Sequence, residues 1–219
     1  VMVIGYLLGR WLRILPKLSY LISSGTAICG GSAIAAVAPV VDADEHETSV
    51  ALAVIFTLNA IALFIFPSIG RFFELSQEQF GTWAAIAIHD TSSVVGAGAA
   101  YGKQALEVAT MVKLTRALWI IPLTLVSVFI FKKKGRKKIS IPWFIFLFIL
   151  AMIINTFLPL PGMLQKGISI ASHTLLSVTL FLIGTSLSVE AIRKVGIKPV
   201  VLGILLWVII SVVSLVVIM

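Results

Sequence analysis

The stretch TSVALAVIFTLNAIALFIFPSIG, from Thr48 to Gly70, runs for 23 residues without one charged side chain. A helix of that length, at 1.5 Å rise per residue, spans the ~30 Å hydrocarbon core of a bilayer. Runs of the same character flank it: Val1 to Leu8, Leu18 to Val41, Gln79 to Tyr101, Leu106 to Phe131, Ile139 to Leu158, Ile168 to Val189 and Lys198 to Met219. The runs are too long for barrel strands and do not alternate with period two. They predict an all-α polytopic helical membrane protein, with about seven full spans plus a partial first span and with broken helices. Val1 to Leu8 is too short to cross and reads as the tail of a longer helix, so residues 1–219 are expected to form a single transmembrane domain that lacks its first helices.

Composition points the same way. Of 219 residues 59% are hydrophobic and only 12% charged, against roughly a quarter charged in soluble domains. A net charge of +8 in a chain of spans is read through the positive-inside rule, and nucleic acid is dropped as a partner. Alternate connections hold Arg10, Arg13 and Lys17, then Arg71, then Lys132, Lys133, Lys134, Arg136, Lys137 and Lys138, then Arg193, Lys194 and Lys198; the opposite ones hold Lys103, Lys166 and the acidic turn Asp42, Asp44, Glu45, Glu47. This partition predicts a cytoplasmic Lys132 to Lys138 loop, which also suits anionic membrane lipid, and an external Asp42 to Glu47 turn. Trp11, Trp83 and Trp143 are then expected at the cytoplasmic interface. The lone Cys29 excludes an intrachain disulfide and a cysteine metal cluster.

Two spans carry chemistry. Ser23-Ser24-Gly25-Thr26-Ala27-Ile28-Cys29-Gly30-Gly31-Ser32 places glycines and hydroxyls where lipid-facing helices use Leu and Ile, and Pro39 follows. A helix that unwinds here exposes backbone groups tolerated only inside protein or beside a water-filled cavity. Thr26, Cys29, Gly30, Gly31 and Ser32 are therefore candidate substrate contacts, with tight helix packing through small residues as the other reading.

The second span reads His89-Asp90-Thr91-Ser92-Ser93, then Gly96-Ala97-Gly98. Asp90 is the carboxylate placed deep in the membrane, where an ionisable group is costly and needs a partner. Arg116, with Lys113 on the same helix face, falls at similar depth on the next helix. Either Asp90 and Arg116 form an ion pair joining two helices, or Lys113 and Arg116 bind an anion while His89 or Asp90 responds to protons. Thr91, Ser92 and Ser93 complete the candidate set. Asn59, Asn155 and Ser172-His173 read as interhelical hydrogen bonds, and His46-Glu47 lacks the second His of a zinc protease motif.

The segments Ser24 to Ile34 with Ala38-Pro39-Val40, His89-Asp90, Val112-Lys113-Leu114-Thr115-Arg116, Ile141-Pro142-Trp143-Phe144 and Leu182-Ile183-Gly184 together resemble the YeiH-like proteins of the bacterial inner membrane, which carry a sulfate-exporter label. The resemblance implies a multi-pass inner-membrane transporter with more helices at the N-terminus and an inverted-repeat fold. The two Gly-rich spans, counted as crossings, run in the same direction and cannot be inverted partners unless one is re-entrant.

These readings lead to a secondary transporter of a small anion: sulfate, a related oxyanion or a small organic anion. A coupling proton or sodium ion and a homo-oligomer are compatible partners, and neither cofactor nor metal is expected. A proton- or sodium-coupled cation exchanger using Asp90, or a non-transporting membrane scaffold, are the alternatives. No nucleophile, base and metal constellation suggests an enzyme.

Overall fold

The computed structural model describes residues 1–131 and 196–219, with isolated positions between 147 and 178. The runs at 139–158 and 168–189, the basic run 132–138, Trp143, Asn155 and Ser172-His173 lie wholly or largely outside the described residues. Within them the chain is helical: α1 (Met2–Trp11), α2 (Pro16–Ala27), α3 (Gly31–Val41), α4 (Glu45–Phe72), α5 (Gln77–Ala87), α6 (Thr91–Tyr101), α7 (Lys103–Ala117), α8 (Ile120–Ile130) and α9 (Ile197–Ile218).

Among the described residues three helical stretches are long and apolar enough to cross a membrane: Glu45–Phe72, Lys103–Ile130 and Ile197–Ile218. The two Gly-rich runs, expected to cross, do not. Lys17 Nζ, at the start of α2, donates to the Asp42 carbonyl just past the end of α3. Were α2 and α3 one straight helix, those residues would stand more than 35 Å apart at 1.5 Å per residue. The pair is a hairpin that enters and leaves through one face. Likewise Gln77 Oε1, at the start of α5, accepts from the Gln104 N–H (2.9 Å), and Tyr101 Oη, at the end of α6, donates to the Leu75 carbonyl (2.6 Å). α5 and α6 form a second hairpin, entering from the opposite face because α4 crosses between the two.

Each hairpin leg is eleven or twelve residues long, so each tip reaches about 16–18 Å in, close to the middle of the hydrocarbon core. Gly30 at the first tip has φ +64° and ψ −122°, a conformation open essentially to glycine alone. At the second tip Asp90 takes extended backbone and caps α6, its Oδ1 accepting from the Ser93 N–H at 2.8 Å.

The crossing α7–α8 packs along both hairpins. α7 lies against α5 and α6, and α8 against α3. Gly81 and Gly98 permit the first contact, since a β-carbon on either would meet the α7 backbone at 2.7 Å (Ala105 O) and 2.9 Å (Leu106 Cα). The bend at Leu118–Trp119 follows from Pro122, which cannot donate to the Leu118 carbonyl four residues back. Tyr20 Oη lies 2.8 Å from Ser127 Oγ and fixes the end of α8 beside the start of α2.

Residues 16–72 and 77–130 are thus two units of one plan, each a hairpin followed by a crossing helix and mutually inverted. A shift of sixty positions carries α3 onto α6 residue for residue. It also superposes Ala27-Ile28 on Ala87-Ile88, Ser32 on Ser92 and Tyr20 on Phe80. The inverted repeat that no arrangement of simple crossings could provide arises because both Gly-rich runs are re-entrant.

Hairpin geometry also moves charges. The acidic turn Asp42 to Glu47 shares the face of Arg13 and Lys17, where it was expected opposite them; Arg71, expected beside those bases, joins Lys103 on the other face, donating to the Ala100 carbonyl at 2.8 Å. Trp83 is no interface anchor. It is 2% exposed, stacks on Phe66 at 4.4 Å and donates to the Ser211 carbonyl.

Candidate functional site

The two tips meet. A β-carbon built on Gly30 would lie 3.4 Å from that of Asp90 and 3.5 Å from its main-chain nitrogen. Four helix ends converge there: the C-termini of α2 and α5, with unsatisfied carbonyls and partial negative charge, and the N-termini of α3 and α6, with unsatisfied N–H groups and partial positive charge.

Lys113 and Arg116 serve the carbonyl ends. Lys113 Nζ donates to the carbonyls of Ile88 (2.6 Å), Ala85 (3.2 Å) and Ile28 (3.3 Å). Arg116 donates through Nε and Nη2 to Ala27 (3.1 and 2.6 Å), through Nη2 to Thr26 (3.4 Å), and through Nη1 to Ile86 (2.5 Å) and Ala85 (3.3 Å). An ammonium has three N–H donors and a guanidinium five, so every N–H of both side chains meets a main-chain carbonyl. Ile28 and Ile88, bridged by one ammonium, are equivalent positions of the two repeats. Under the same shift the positions of the first repeat that match Lys113 and Arg116 are Ala53 and Phe56, both apolar.

The expected ion pair between Asp90 and Arg116 does not form. Asp90 turns both carboxylate oxygens to Ser93, accepting from its N–H and, at 2.7 Å, from its hydroxyl. Helix geometry gives the reason: an N-cap carboxylate satisfies orphan N–H groups at its own helix start, and the cations find a complete acceptor set on the carbonyl ends.

Other candidates separate. Thr26 Oγ1 donates back to the Ile22 carbonyl (2.9 Å), and the hydroxyls of Ser23 and Ser24 do the same within α2. Cys29 is buried at the first tip among Ile28, Ala33, Ala36 and Ile120. Gly30 is buried, Gly31 half-buried against Phe56, and Ser32 exposed. Thr91 and Ser92 are half-buried in the first turn of α6, and Ser93 is buried. A cavity of about 450 Å³ reaches Arg116 from the side of Ala27, Ile28, Trp119 and Pro122.

Asn59, read from sequence as a structural hydrogen bond, belongs to this site. Its Oδ1 accepts from the His89 N–H at 2.9 Å, so the first crossing helix reaches the second hairpin's tip. Asn59 Nδ2 and both imidazole nitrogens of His89 are buried without a partner among the described residues. An amide in a span was the available signal, but sequence does not show which of its atoms stays unsatisfied.

Residues 1–218 match the family described as conserved hypothetical protein 698. The chain is 62% identical to a UPF0324 membrane protein of Bacteroides thetaiotaomicron over 96% of its length and 64% of the relative's. It is 57% identical to one from Porphyromonas gingivalis, over 98% of this chain and 66% of that protein, and 54% identical to one from Photobacterium profundum, over 98% and 65%. The chain therefore spans about two thirds of the length of these relatives. No solved structure matches it. The resemblance to the YeiH-like proteins falls within the same family, and the chain belongs to the conserved hypothetical protein 698 family of UPF0324 membrane proteins.

Proposed function

We propose that this protein is a secondary transporter of a small anion, such as sulfate, a related oxyanion or a small organic anion, across the bacterial inner membrane. The observation that carries the reading is the meeting of two re-entrant hairpins, inserted from opposite faces, with the N-termini of α3 and α6 converging beside Lys113 and Arg116. Interrupted helices at this depth line substrate paths, because hydrocarbon cannot satisfy the freed backbone groups. Among the described residues the formal charge at the junction is two cations against the one carboxylate of Asp90, which favours an anion. A cation exchanger working through Asp90 has less support, since Lys113 and Arg116 stand at the same junction and each Asp90 oxygen already accepts a hydrogen bond from Ser93. The face of Arg10, Arg13, Lys17 and Lys198 is read as cytoplasmic, as it outweighs that of Arg71 and Lys103.

The test is flux of labelled sulfate, sulfite and small organic anions in proteoliposomes of the full-length chain, with and without proton and sodium gradients. Saturable movement of one of them supports the reading. Well-folded protein that moves none of them removes it.

A further inference from the structure

Lys113 and Arg116 have no N–H left for a ligand, so a bound anion needs other contacts. The unsatisfied donors of the junction belong to Asn59 and His89. Asn59 is 2% and His89 0% exposed, and the bond from the His89 N–H to Asn59 Oδ1 holds the amide on the tip with Nδ2 unpartnered. A buried amide nitrogen left without an acceptor costs about 1–3 kcal/mol, and a buried imidazole without partners adds to this. Two such groups from separate elements, α4 and the α5–α6 tip, are left unsatisfied at one junction.

We infer that Asn59 Nδ2 and the His89 imidazole form a binding site for a small oxyanion, with Lys113 and Arg116 supplying its field without touching it. The donor count sets the ligand class. The amide brings two N–H groups and the imidazole at least one in any protonation state. An anion with several oxygen acceptors takes all three from different directions. The atom left unpartnered on Asn59 is its donor nitrogen, while its Oδ1 accepts from the His89 N–H, so the open side of the amide suits an acceptor and not a cation. Among the described residues the charged and titratable groups around the site are Lys113 and Arg116 from α7, Asp90 from the same tip and Cys29 from the facing tip. The inference rests on the anion reading above for its biological meaning, but the site itself is testable apart from it.

The discriminating variant is Asn59→Asp. It keeps an oxygen to accept from the His89 N–H and replaces the free N–H₂ with a second oxygen. His89→Gln, which retains a donor and an acceptor, is its companion. In full-length protein in lipid nanodiscs, labelled sulfate binding is expected to weaken about ten- to one-hundred-fold in Asn59→Asp and to weaken less in His89→Gln. Unchanged sulfate affinity in Asn59→Asp overturns the site. A second measurement covers failure to bind or to fold: a high-resolution map of the sulfate-loaded wild-type protein. Density the size of a tetrahedral oxyanion within hydrogen-bond distance of Asn59 Nδ2 supports the site even if no flux is seen. A single water there, or nothing, overturns it even if the protein transports anions.

Discussion

Lys113 joins the two halves of the molecule: its Nζ stands 2.6 Å from the Ile88 carbonyl of the second hairpin and 3.3 Å from the Ile28 carbonyl of the first. Those carbonyls end half-helices that point at each other from opposite faces, and their negative ends repel without a cation between them. Lys113→Met is expected to destabilise the protein by at least about 2 kcal/mol, because the buried Ile28 and Ile88 carbonyls lose their donor at about 1–3 kcal/mol each, while Ala85 keeps that from Arg116. Chemical denaturation of the variant in detergent micelles measures this. A stability equal to wild type would show that these bonds contribute nothing net to the fold.

Arg116→Lys should also be costly although charge is kept. A lysine has three donors in place of five and lacks the planar fork that spans Ala27 of one hairpin and Ile86 of the other. A loss of about 1–3 kcal/mol is expected, read by the same denaturation. A neutral result would mean the guanidinium contacts contribute charge alone.

The sequence contains this arrangement in part. Apolar length identified the membrane class, and the glycines of 30–31 marked the first helix interruption, whereas Asp90 stood out only as a charge within a span. Whether an interrupted helix continues across or turns back depends on tertiary contacts such as Lys17 with Asp42 and Gln77 with Gln104, which no local pattern encodes. Taking both hairpins for crossings reverses direction twice, so Arg71 and the acidic turn change sides. The echo of Ala27-Ile28 in Ala87-Ile88 was readable but too short to announce a repeat. The ion pair drawn between Asp90 and Arg116 failed because depth in the bilayer places groups at one level without saying which way they turn.

Re-entrance makes a labelling prediction. In a Cys29→Ser background, Ala43→Cys and Arg13→Cys should react with an impermeant thiol reagent from the same side of the membrane, and Glu74→Cys with Lys103→Cys from the other. Orientation by basic residues puts the first pair in the cytoplasm. Labelling of positions 13 and 43 from opposite sides would restore a crossing helix between them.

Gly30→Ala tests the contact between the tips. Its φ of +64° with ψ near −122° strains any side chain, and the new β-carbon would meet Ile55 Cγ2 at 3.2 Å and Asp90 Cβ at 3.4 Å. A loss of about 1–3 kcal/mol is expected, seen as a lowered thermal midpoint of the detergent-solubilised protein. A midpoint within error of wild type would mean that the tips stand further apart than described.

Asp90 separates the two transport readings. As the N-cap of α6 it accepts from the Ser93 N–H and hydroxyl, and asparagine fills that position about as well as aspartate because its amide oxygen takes the N–H and its amide nitrogen can donate to the hydroxyl. Asp90→Asn should therefore fold and insert normally, whereas Asp90→Ala should lose about 0.5–2 kcal/mol of stability through the missing cap. For flux the expectations diverge. If the carboxylate carries a coupled cation, Asp90→Asn abolishes transport while the fold is intact. If the ligand is an anion held near Asn59 and His89, removing the one negative charge at the junction leaves anion binding intact or strengthens it. Measuring both stability and anion flux in Asp90→Asn and Asp90→Ala decides between these, and a folded Asp90→Asn protein with no anion flux would transfer the central role from the paired cations to the carboxylate.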